Sequence, residues 1–121
     1  MTTVLIVDDS MTQRQLISKI LEQYGLTILV ATDGVEAWDQ LQHTLPDIVV
    51  LDIIMPRMNG YEVCRKIKTD PAMQKVPVVL CSSKAEEFDR YWGMKQGADA
   101  YVSKPFQPKE LLSIIQKLLQ G

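Results

Sequence analysis

Five residues with chemically versatile side chains each follow a short apolar run. Asp8 and Asp9 follow "TVLIV", Asp52 follows "DIVVL", Ser82 follows "PVVLC" and Lys104 follows "AYVS". Carboxylates bind hard cations or act as nucleophiles, and a hydroxyl or an ammonium group binds negative charge. Taken singly, each residue also has an ordinary interpretation as a helix cap, a turn residue or a solvated charge. Whether they form one site depends on the elements that carry them.

The chain alternates short apolar runs with amphipathic stretches. The continuously apolar runs are typical of strands that are covered on both faces of a parallel sheet, and they lie at 3–7, 27–31, 47–51, 77–81 and 100–103. Helices are predicted at 11–24, 34–42, 60–68, 85–96 and from Pro108 onward. The apolar face of the first helix is expected to contain Leu16, Ile17, Ile20, Leu21 and Tyr24. Three of them are preceded by capping-box patterns: Ser10 with Gln13, Asp33 with Glu36, and Ser83 with Glu86.

This alternation predicts an α/β fold of the (βα)5 type. Strict alternation with short loops indicates a parallel sheet with right-handed crossovers, and five strands are too few for a closed eight-stranded barrel. We therefore expect an open, doubly wound, flavodoxin-like sheet with the strand order 2-1-3-4-5. A length of 121 residues is that of one domain, and we expect residues 1–121 to form it without an output domain.

Such a sheet brings the five residues to one edge, because ligands bind outside the carboxyl ends of parallel strands. In the expected order, strands 1, 3 and 4 are neighbours and strand 5 follows. Clustered carboxylates repel one another, so the edge needs a cation. Mg²⁺ binds a few carboxylates and keeps several waters, and Lys104 adds a second positive charge. A carboxylate left over can act as a nucleophile, which together suits the transfer of a phosphoryl group.

The motifs "VLIVDDS", "DIVVLDIIMPRMNG", "PVVLCSSKA" and "GADAYVSKPF", in this order, resemble the receiver domain of bacterial two-component response regulators. The resemblance covers essentially the whole chain. It implies that Asp52 is the phosphoacceptor and that Asp8 and Asp9, with Asp52 and the backbone carbonyl of Ile54, bind Mg²⁺ or Mn²⁺. It also implies that the chain assists its own phosphorylation and dephosphorylation without being a turnover enzyme.

The resemblance assigns further roles at the ends of the fourth and fifth strands. Ser82 would be the switch hydroxyl that turns toward the phosphoryl group, and Tyr101 the aromatic side chain whose inward rotamer follows it. Lys104 would pair with a phosphoryl oxygen, and Lys104–Pro105 would be a cis peptide bond. The phosphoryl donor would be a phosphohistidine of a sensor histidine kinase or a histidine phosphotransfer domain, and phosphorylation would change the face formed by helix 4, strand 5 and helix 5.

The stretch "EEFDRYWGMKQGADAY" at 86–101 resembles regulators of type IV pilus twitching motility and of related cyanobacterial taxis systems. This predicts a stand-alone regulator that binds a downstream target protein in motility control. Trp92 is then either partly packed against the sheet or an exposed anchor on the output face. A monomer or a weak homodimer is expected.

Three alternatives share the architecture. An inactive pseudo-receiver would bind proteins without phosphate chemistry, but its site residues would not need to be intact. A flavodoxin needs a hydroxyl-rich phosphate loop, whereas Asp8 and Asp9 would repel a flavin phosphate. A haloacid-dehalogenase-like phosphatase carries an acid two residues beyond its nucleophile, where this chain has Ile54. An apolar residue there predicts slow hydrolysis of the Asp52 phosphate, with Lys84 as a candidate lid.

Composition limits the classes of binding partner and the cellular locations that fit this chain. The net charge of −2 argues against direct binding of nucleic acid. The apolar runs are too short to span a membrane, and the first residues enter a strand without a signal peptide. Cys64 and Cys81 lie in apolar contexts without metal-type spacing and are expected to be buried thiols, which fits a cytoplasmic location. The single histidine, His43, is expected at the surface.

Overall fold

The computed structural model describes residues 2–83 and 86–120 as alternating strands and helices. The strands are β1 (Thr3–Val7), β2 (Thr27–Ala31), β3 (Ile48–Asp52), β4 (Val78–Ser82) and β5 (Ala100–Ser103). The helices are α1 (Met11–Glu22), α2 (Gly34–Leu41), α3 (Gly60–Thr69), α4 (Glu87–Lys95) and α5 (Pro108–Gln120). The predicted (βα)5 order is therefore confirmed, and β3 and β4 each begin and end one residue later than expected.

All five strands form one parallel sheet in the order β2-β1-β3-β4-β5, as predicted. Its register decides what lies at the carboxyl edge. Val7 pairs with Leu51, and Asp52 pairs with Cys81. The residues that follow Val7 and Leu51 therefore reach the same level at neighbouring strand ends.

Apolar side chains cover both faces of the sheet, which explains why the strands read as continuous hydrophobic runs. Leu5, Val49 and Leu80 belong to the cluster beneath α2 and α3. Val4 and Val50 point to the opposite cluster, which α1 and α5 close. Alternating strand residues thus reach opposite layers, and the polar groups are displaced to the strand ends.

Two local expectations are wrong. The predicted apolar face of helix 1 included Leu16 and Tyr24, yet both are exposed. Ile17 and Leu21 are the buried residues of α1; Leu16 is rotated away from them, and Tyr24 lies beyond the end of the helix. The capping box of Ser83 with Glu86 does not form, because α4 begins at Glu87 with Glu86 at its N-cap and without a capping side-chain hydrogen bond.

Side chains cap the N-termini of α1, α2 and α3, and the caps at Ser10 and Asp33 were predicted. Ser10 Oγ accepts from the Gln13 N–H at 3.3 Å, and Asp33 Oδ1 accepts from the Glu36 N–H at 2.8 Å. Asn59 Oδ1 caps α3 in the same way, accepting from the Glu62 N–H at 3.0 Å. These bonds fix where each helix leaves the carboxyl edge of the sheet. In the part of the chain that the structure describes, no helix has the length and apolarity to cross a bilayer.

Two leucines on helices test the position of the core. Leu111 of α5 is 0% exposed and Leu16 of α1 is 51% exposed. Leu111→Ala should lower the free energy of unfolding by about 2–5 kcal/mol, because it leaves a cavity in a packed layer. Leu16→Ala is the matched control and should change it by less than about 1 kcal/mol. Urea denaturation measures both, and equal losses would contradict this assignment of the core.

Candidate acidic site at the carboxyl edge

Four elements deliver the predicted side chains to one edge. Asp8 directly follows β1, Asp52 ends β3, Ser82 ends β4, and Lys104 directly follows β5. The amide nitrogen of Lys104 donates to the Ser82 carbonyl at 2.8 Å, which continues the ladder past the end of β5. Residues far apart in the sequence are therefore brought together by strand pairing alone.

Lys104 lies between two carboxylates. Its Nζ is 2.8 Å from Asp8 Oδ2 and 3.5 Å from Asp52 Oδ1. Burial alone would lower the pKa of Lys104, but the hydrogen bond to Asp8 and the negative charge of Asp52 outweigh it, so that the pKa is raised. The ammonium group therefore stays charged at neutral pH. The Lys104–Pro105 peptide bond that anchors this residue is cis, as the resemblance implied.

Asp8, Asp9 and Asp52 form an acidic cluster in which carboxylate oxygens lie within 4.8 Å of one another. Asp8 and Asp52 are buried, whereas Asp9 is exposed. Asp8 Oδ1 already accepts from the Ser10 N–H at 2.9 Å, and its Oδ2 accepts from Lys104. The exposed Asp9 thus has the carboxylate that is most open to a hydrated cation, and a set of hard oxygen donors with room for water fits Mg²⁺.

The pKa of Asp52 shows how strained this charge arrangement is. Burial raises it from 3.8 to about 6; Lys104 opposes the rise, and the charges of Asp8 and Asp9 add to it. Lys104 alone therefore does not return the pKa of Asp52 to its ordinary value. A further cation beside Asp9 would stabilise ionised Asp52, which is the form that acts as a nucleophile.

Ser82 and Tyr101 extend the site into the protein. Ser82 is fully buried, and Tyr101 is 8% exposed, so its ring occupies the inward position. Burial raises the pKa of Tyr101, while hydrogen bonding with Ser82 acts in the opposite direction. The two side chains that the resemblance couples are therefore close enough to influence each other.

The loop after Asp52 is tightly turned. A Cβ on Gly60 would lie 2.3 Å from the Asp52 carbonyl oxygen, so this position requires glycine. The Met58 N–H donates to the Pro56 carbonyl at 2.8 Å around Arg57, which has a φ of 68°. Few residues other than glycine adopt this left-handed conformation. The loop leaves the side chain of Ile54 exposed beside the site.

Sequence reasoning missed the ion pair that holds this loop from outside. Arg57 Nη2 lies 2.8 Å from Asp33 Oδ2, and Arg57 Nε donates to the same oxygen at 3.0 Å. The capping bond from the Glu36 N–H, together with Arg57, lowers the pKa of Asp33. The loop also lies close to the start of α2, because a Cβ on Gly34 would be 2.1 Å from the Met58 carbonyl oxygen. The sequence does not indicate that Arg57 adopts a positive φ, and it therefore could not predict the ion pair of Arg57 with Asp33.

Of the other candidate residues that the structure describes, Cys81 pairs with Asp52 in the sheet, whereas His43, Cys64 and Trp92 are not part of the acidic cluster. His43 is exposed after α2, as expected. Cys64 and Cys81 are buried free thiols, and burial raises their pKa values to about 11 and about 12. Trp92 of α4 is 44% exposed, which supports an accessible indole more than a packed one. Lys84, the candidate lid, lies outside the described residues.

Comparison with known proteins decides the family. The family described as "Response regulator receiver domain" matches residues 4–116. The chain belongs to this family. It is thus a signalling domain of two-component systems rather than a turnover enzyme, and the predicted family is confirmed.

Its relatives include receivers of different lengths. Protein PilG of Pseudomonas aeruginosa is 39% identical over 93% of this receiver and 84% of its own length. Protein PilH of the same organism is 36% identical over the full length of both chains. Response regulator Rre1 of Synechocystis is 40% identical over 97% of this receiver but only 51% of its own length. This chain therefore spans about half the length of some curated relatives.

Solved structures agree with the fold. The chemotaxis response regulator CheY4 of Vibrio cholerae superimposes with a TM-score of 0.92 at 30% identity, over 98% of each chain. A signal receiver domain of a histidine kinase from Syntrophus aciditrophicus gives 0.94 at 35% identity, over 100% of this receiver and 92% of that chain. The arrangement of strands and helices is therefore that of receiver domains.

Substitutions at Arg57 test the turn after Asp52. Arg57→Gly and Arg57→Ala both remove the ion pair with Asp33, but only glycine relieves the left-handed backbone. The glycine variant should be more stable than the alanine variant by up to about 1 kcal/mol, measured by urea denaturation.

The matched control is Gln15, an exposed residue inside α1. There the order should reverse, because glycine is about 1 kcal/mol less favourable than alanine in a helix. An alanine variant at position 57 that equals or exceeds the glycine variant would contradict the strained turn.

Proposed function

We propose that this receiver accepts a phosphoryl group on Asp52 from a phosphohistidine of a sensor histidine kinase or histidine phosphotransfer domain. The observation that carries the proposal is the position of Lys104, within 2.8 Å of Asp8 and 3.5 Å of Asp52, beside an exposed third carboxylate. A buried nucleophile, a charged ammonium group and an oxygen-ligand cluster on one open edge suit phosphoryl transfer.

The transfer is a displacement at phosphorus. An Asp52 carboxylate oxygen forms the new P–O bond while the P–N bond to the donor imidazole breaks, and the electron pair of that bond leaves with the imidazole. Lys104 neutralises charge on the phosphoryl oxygens, and the Ser82 hydroxyl donates to one of them after turning from Tyr101. Later attack by water on phosphorus releases phosphate and restores the Asp52 carboxylate.

Asp8, Asp9, Asp52 and the Ile54 carbonyl would hold Mg²⁺ or Mn²⁺. When bound, the cation supplies charge neutralisation for the transferring group. Asp8 orients Lys104 and is itself oriented by the Ser10 N–H, so its role is shared between the cation and the lysine. Within the described residues, Asp9 makes no contact with Lys104 like that of Asp8, and it would contribute the exposed ligand.

The output is a change at the face of α4, β5 and α5. Phe88, Tyr91 and Trp92 on α4 are exposed, and the only residue of that helix that is buried is Gly93. A helix held by so little apolar burial shifts at low cost, and it presents aromatic groups to a downstream target protein. The likeness to a chemotaxis regulator and to PilG and PilH supports a target in motility control.

Replacement of the acceptor tests the chemistry. Asp52→Asn should abolish acid-labile incorporation of labelled phosphate from a histidine kinase, because an amide is not a nucleophile for phosphorus. Asp39→Asn, an exposed aspartate on α2, is the matched control and should label like the unsubstituted chain. Undiminished labelling of the Asp52 variant would overturn the assignment of the acceptor.

Ile54 tests the lifetime of the phosphate. Its side chain is 52% exposed next to Asp52 but has no group that hydrogen-bonds an attacking water. Ile54→Asn and Ile54→Glu should accelerate loss of label from the purified phosphoprotein by roughly threefold to thirtyfold, part of the gain that a positioned polar group gives. Ile54→Leu is the apolar control. Equal rates in all four proteins would remove Ile54 as a determinant.

A further inference from the structure

The turn between β2 and α2 is attached to two segments of the proposed cation site. The Asp8 N–H donates to the Ala31 carbonyl at the end of β2, at 3.2 Å. Two residues further on, Asp33 accepts hydrogen bonds from Arg57, which lies in the loop between β3 and α3. The segment that carries Asp8 and the segment that carries the Ile54 carbonyl therefore both contact this turn.

The contact of Arg57 with Asp33 is bidentate. Arg57 Nε donates to Asp33 Oδ2 at 3.0 Å, and Nη2 donates to Oδ2 at 2.8 Å and to Oδ1 at 3.0 Å. A planar guanidinium group on a carboxylate fixes the direction of the contact as well as its length. Asp33 is itself held, because its Oδ1 accepts from the Glu36 N–H at 2.8 Å at the start of α2. The helix end is thus the firm partner to which the loop is bound.

A second contact lies one position beyond the ion pair. A Cβ on Gly34 would lie 2.1 Å from the Met58 carbonyl oxygen, so the backbones of α2 and of the loop meet there. Arg57 has a φ of 68°, in the left-handed region that a residue with a Cβ occupies only where surrounding contacts stabilise it. The ion pair is such a contact, and it therefore stabilises this conformation of the loop.

Ile54 lies between two anchors of the loop. On one side, the Ile53 N–H donates to the Cys81 carbonyl at 3.2 Å, and the Ile53 carbonyl accepts from the Gly60 N–H at 2.9 Å. On the other side, three residues beyond Ile54, Arg57 binds Asp33. The position of the Ile54 carbonyl thus depends on the sheet at one end and on the ion pair at the other.

We propose that Arg57 and Asp33 are positioning residues whose ion pair holds the Ile54 carbonyl ready for the divalent cation and so strengthens cation binding. The inference rests on the proposed function. A ligand that is already held costs less conformational entropy on binding than one on a free loop. Contacts that orient metal ligands from outside raise the affinity for the metal. Arg57 has this effect although its own positive charge repels a cation.

Removal of either partner should weaken the binding of Mg²⁺. Arg57→Met keeps an unbranched side chain at a position that is 59% exposed, and Asp33→Asn keeps the cap of α2, since asparagine caps as well as aspartate. Each change should raise the dissociation constant of Mg²⁺ by roughly twofold to fivefold, the factor that corresponds to an exposed bidentate ion pair. Isothermal titration calorimetry with magnesium chloride at constant ionic strength measures it.

The sign of the effect separates positioning from charge. Loss of a positive charge near the site would by itself strengthen Mg²⁺ binding in Arg57→Met, whereas loss of the ion pair weakens it. The double variant Arg57→Met/Asp33→Asn leaves the net charge unchanged and should still bind Mg²⁺ more weakly than the unsubstituted chain. The losses of the two single variants should not add, because one ion pair is broken only once.

Two further variants control the titration. Lys117→Met removes a positive charge from an exposed position in the last turn of α5, and it should bind Mg²⁺ like the unsubstituted chain. Asp9→Asn removes the exposed carboxylate of the acidic cluster and should abolish most of the binding. Urea denaturation shows that each variant is folded at the temperature of the titration.

The outcomes distinguish this inference from the proposed function. If the unsubstituted chain fails to bind Mg²⁺, or if Asp9→Asn binds it undiminished, the proposed cation site is wrong and both are overturned. If the chain binds Mg²⁺ at that site and Arg57→Met binds it equally or more tightly, the inference alone is overturned. Losses that add in the double variant would also overturn it, since independent losses do not come from one ion pair.

Discussion

The structure depends on the repulsion among three carboxylates at the carboxyl edge and on its partial relief by Lys104. Asp8, Asp9 and Asp52 lie close enough to share a cation, and a single ammonium group touches two of them. Burial makes this repulsion matter, because charges buried at a strand end are screened less than charges in water. The acidic cluster therefore favours the binding of positive charge, and the proposed phosphoryl transfer would use Lys104 in the position that it already occupies.

That arrangement is held by a sheet that is apolar on both faces. Alternate residues of β1 and β3 enter opposite hydrophobic layers, so a charged group is tolerated only where a strand ends. Parallel pairing then places the ends of β1, β3 and β4 at one level. The fold concentrates polar chemistry at this edge because the rest of the sheet offers no place for it.

Short contacts link the acidic edge with α4 at the surface. Ser82 bonds with Tyr101, Tyr101 contacts Gly93 and Arg90 of α4, and Tyr61 joins the same helix through the Asp89 carbonyl. α4 contributes exposed aromatics and almost no core, whereas α5 buries Leu111, Leu112 and Ile115. Among the five helices, α4 therefore buries the fewest residues.

The sequence by itself determined the (βα)5 order, the sheet topology and the gathering of Asp8, Asp52, Ser82 and Lys104. These features follow from local periodicity and from the geometry of parallel strands, which apply without knowledge of side-chain packing. The sequence also predicted the helix caps at Ser10 and Asp33, because a capping hydrogen bond joins residues no more than four positions apart. The predicted cap at Ser83 is wrong, since α4 begins at Glu87 and has Glu86 at its N-cap.

Only the tertiary structure decided the contacts between elements. Three contacts join residues whose separation in sequence follows no helical or strand period. They are the ion pair of Arg57 with Asp33, the close approach of Gly34 to Met58, and the hydrogen bond from Tyr61 to the Asp89 carbonyl. Leu16 and Ile17 differ in burial although both are apolar, because a helix buries the stripe that meets its neighbour. Such contacts depend on the angle and depth at which elements pack, and those are properties of the assembled fold.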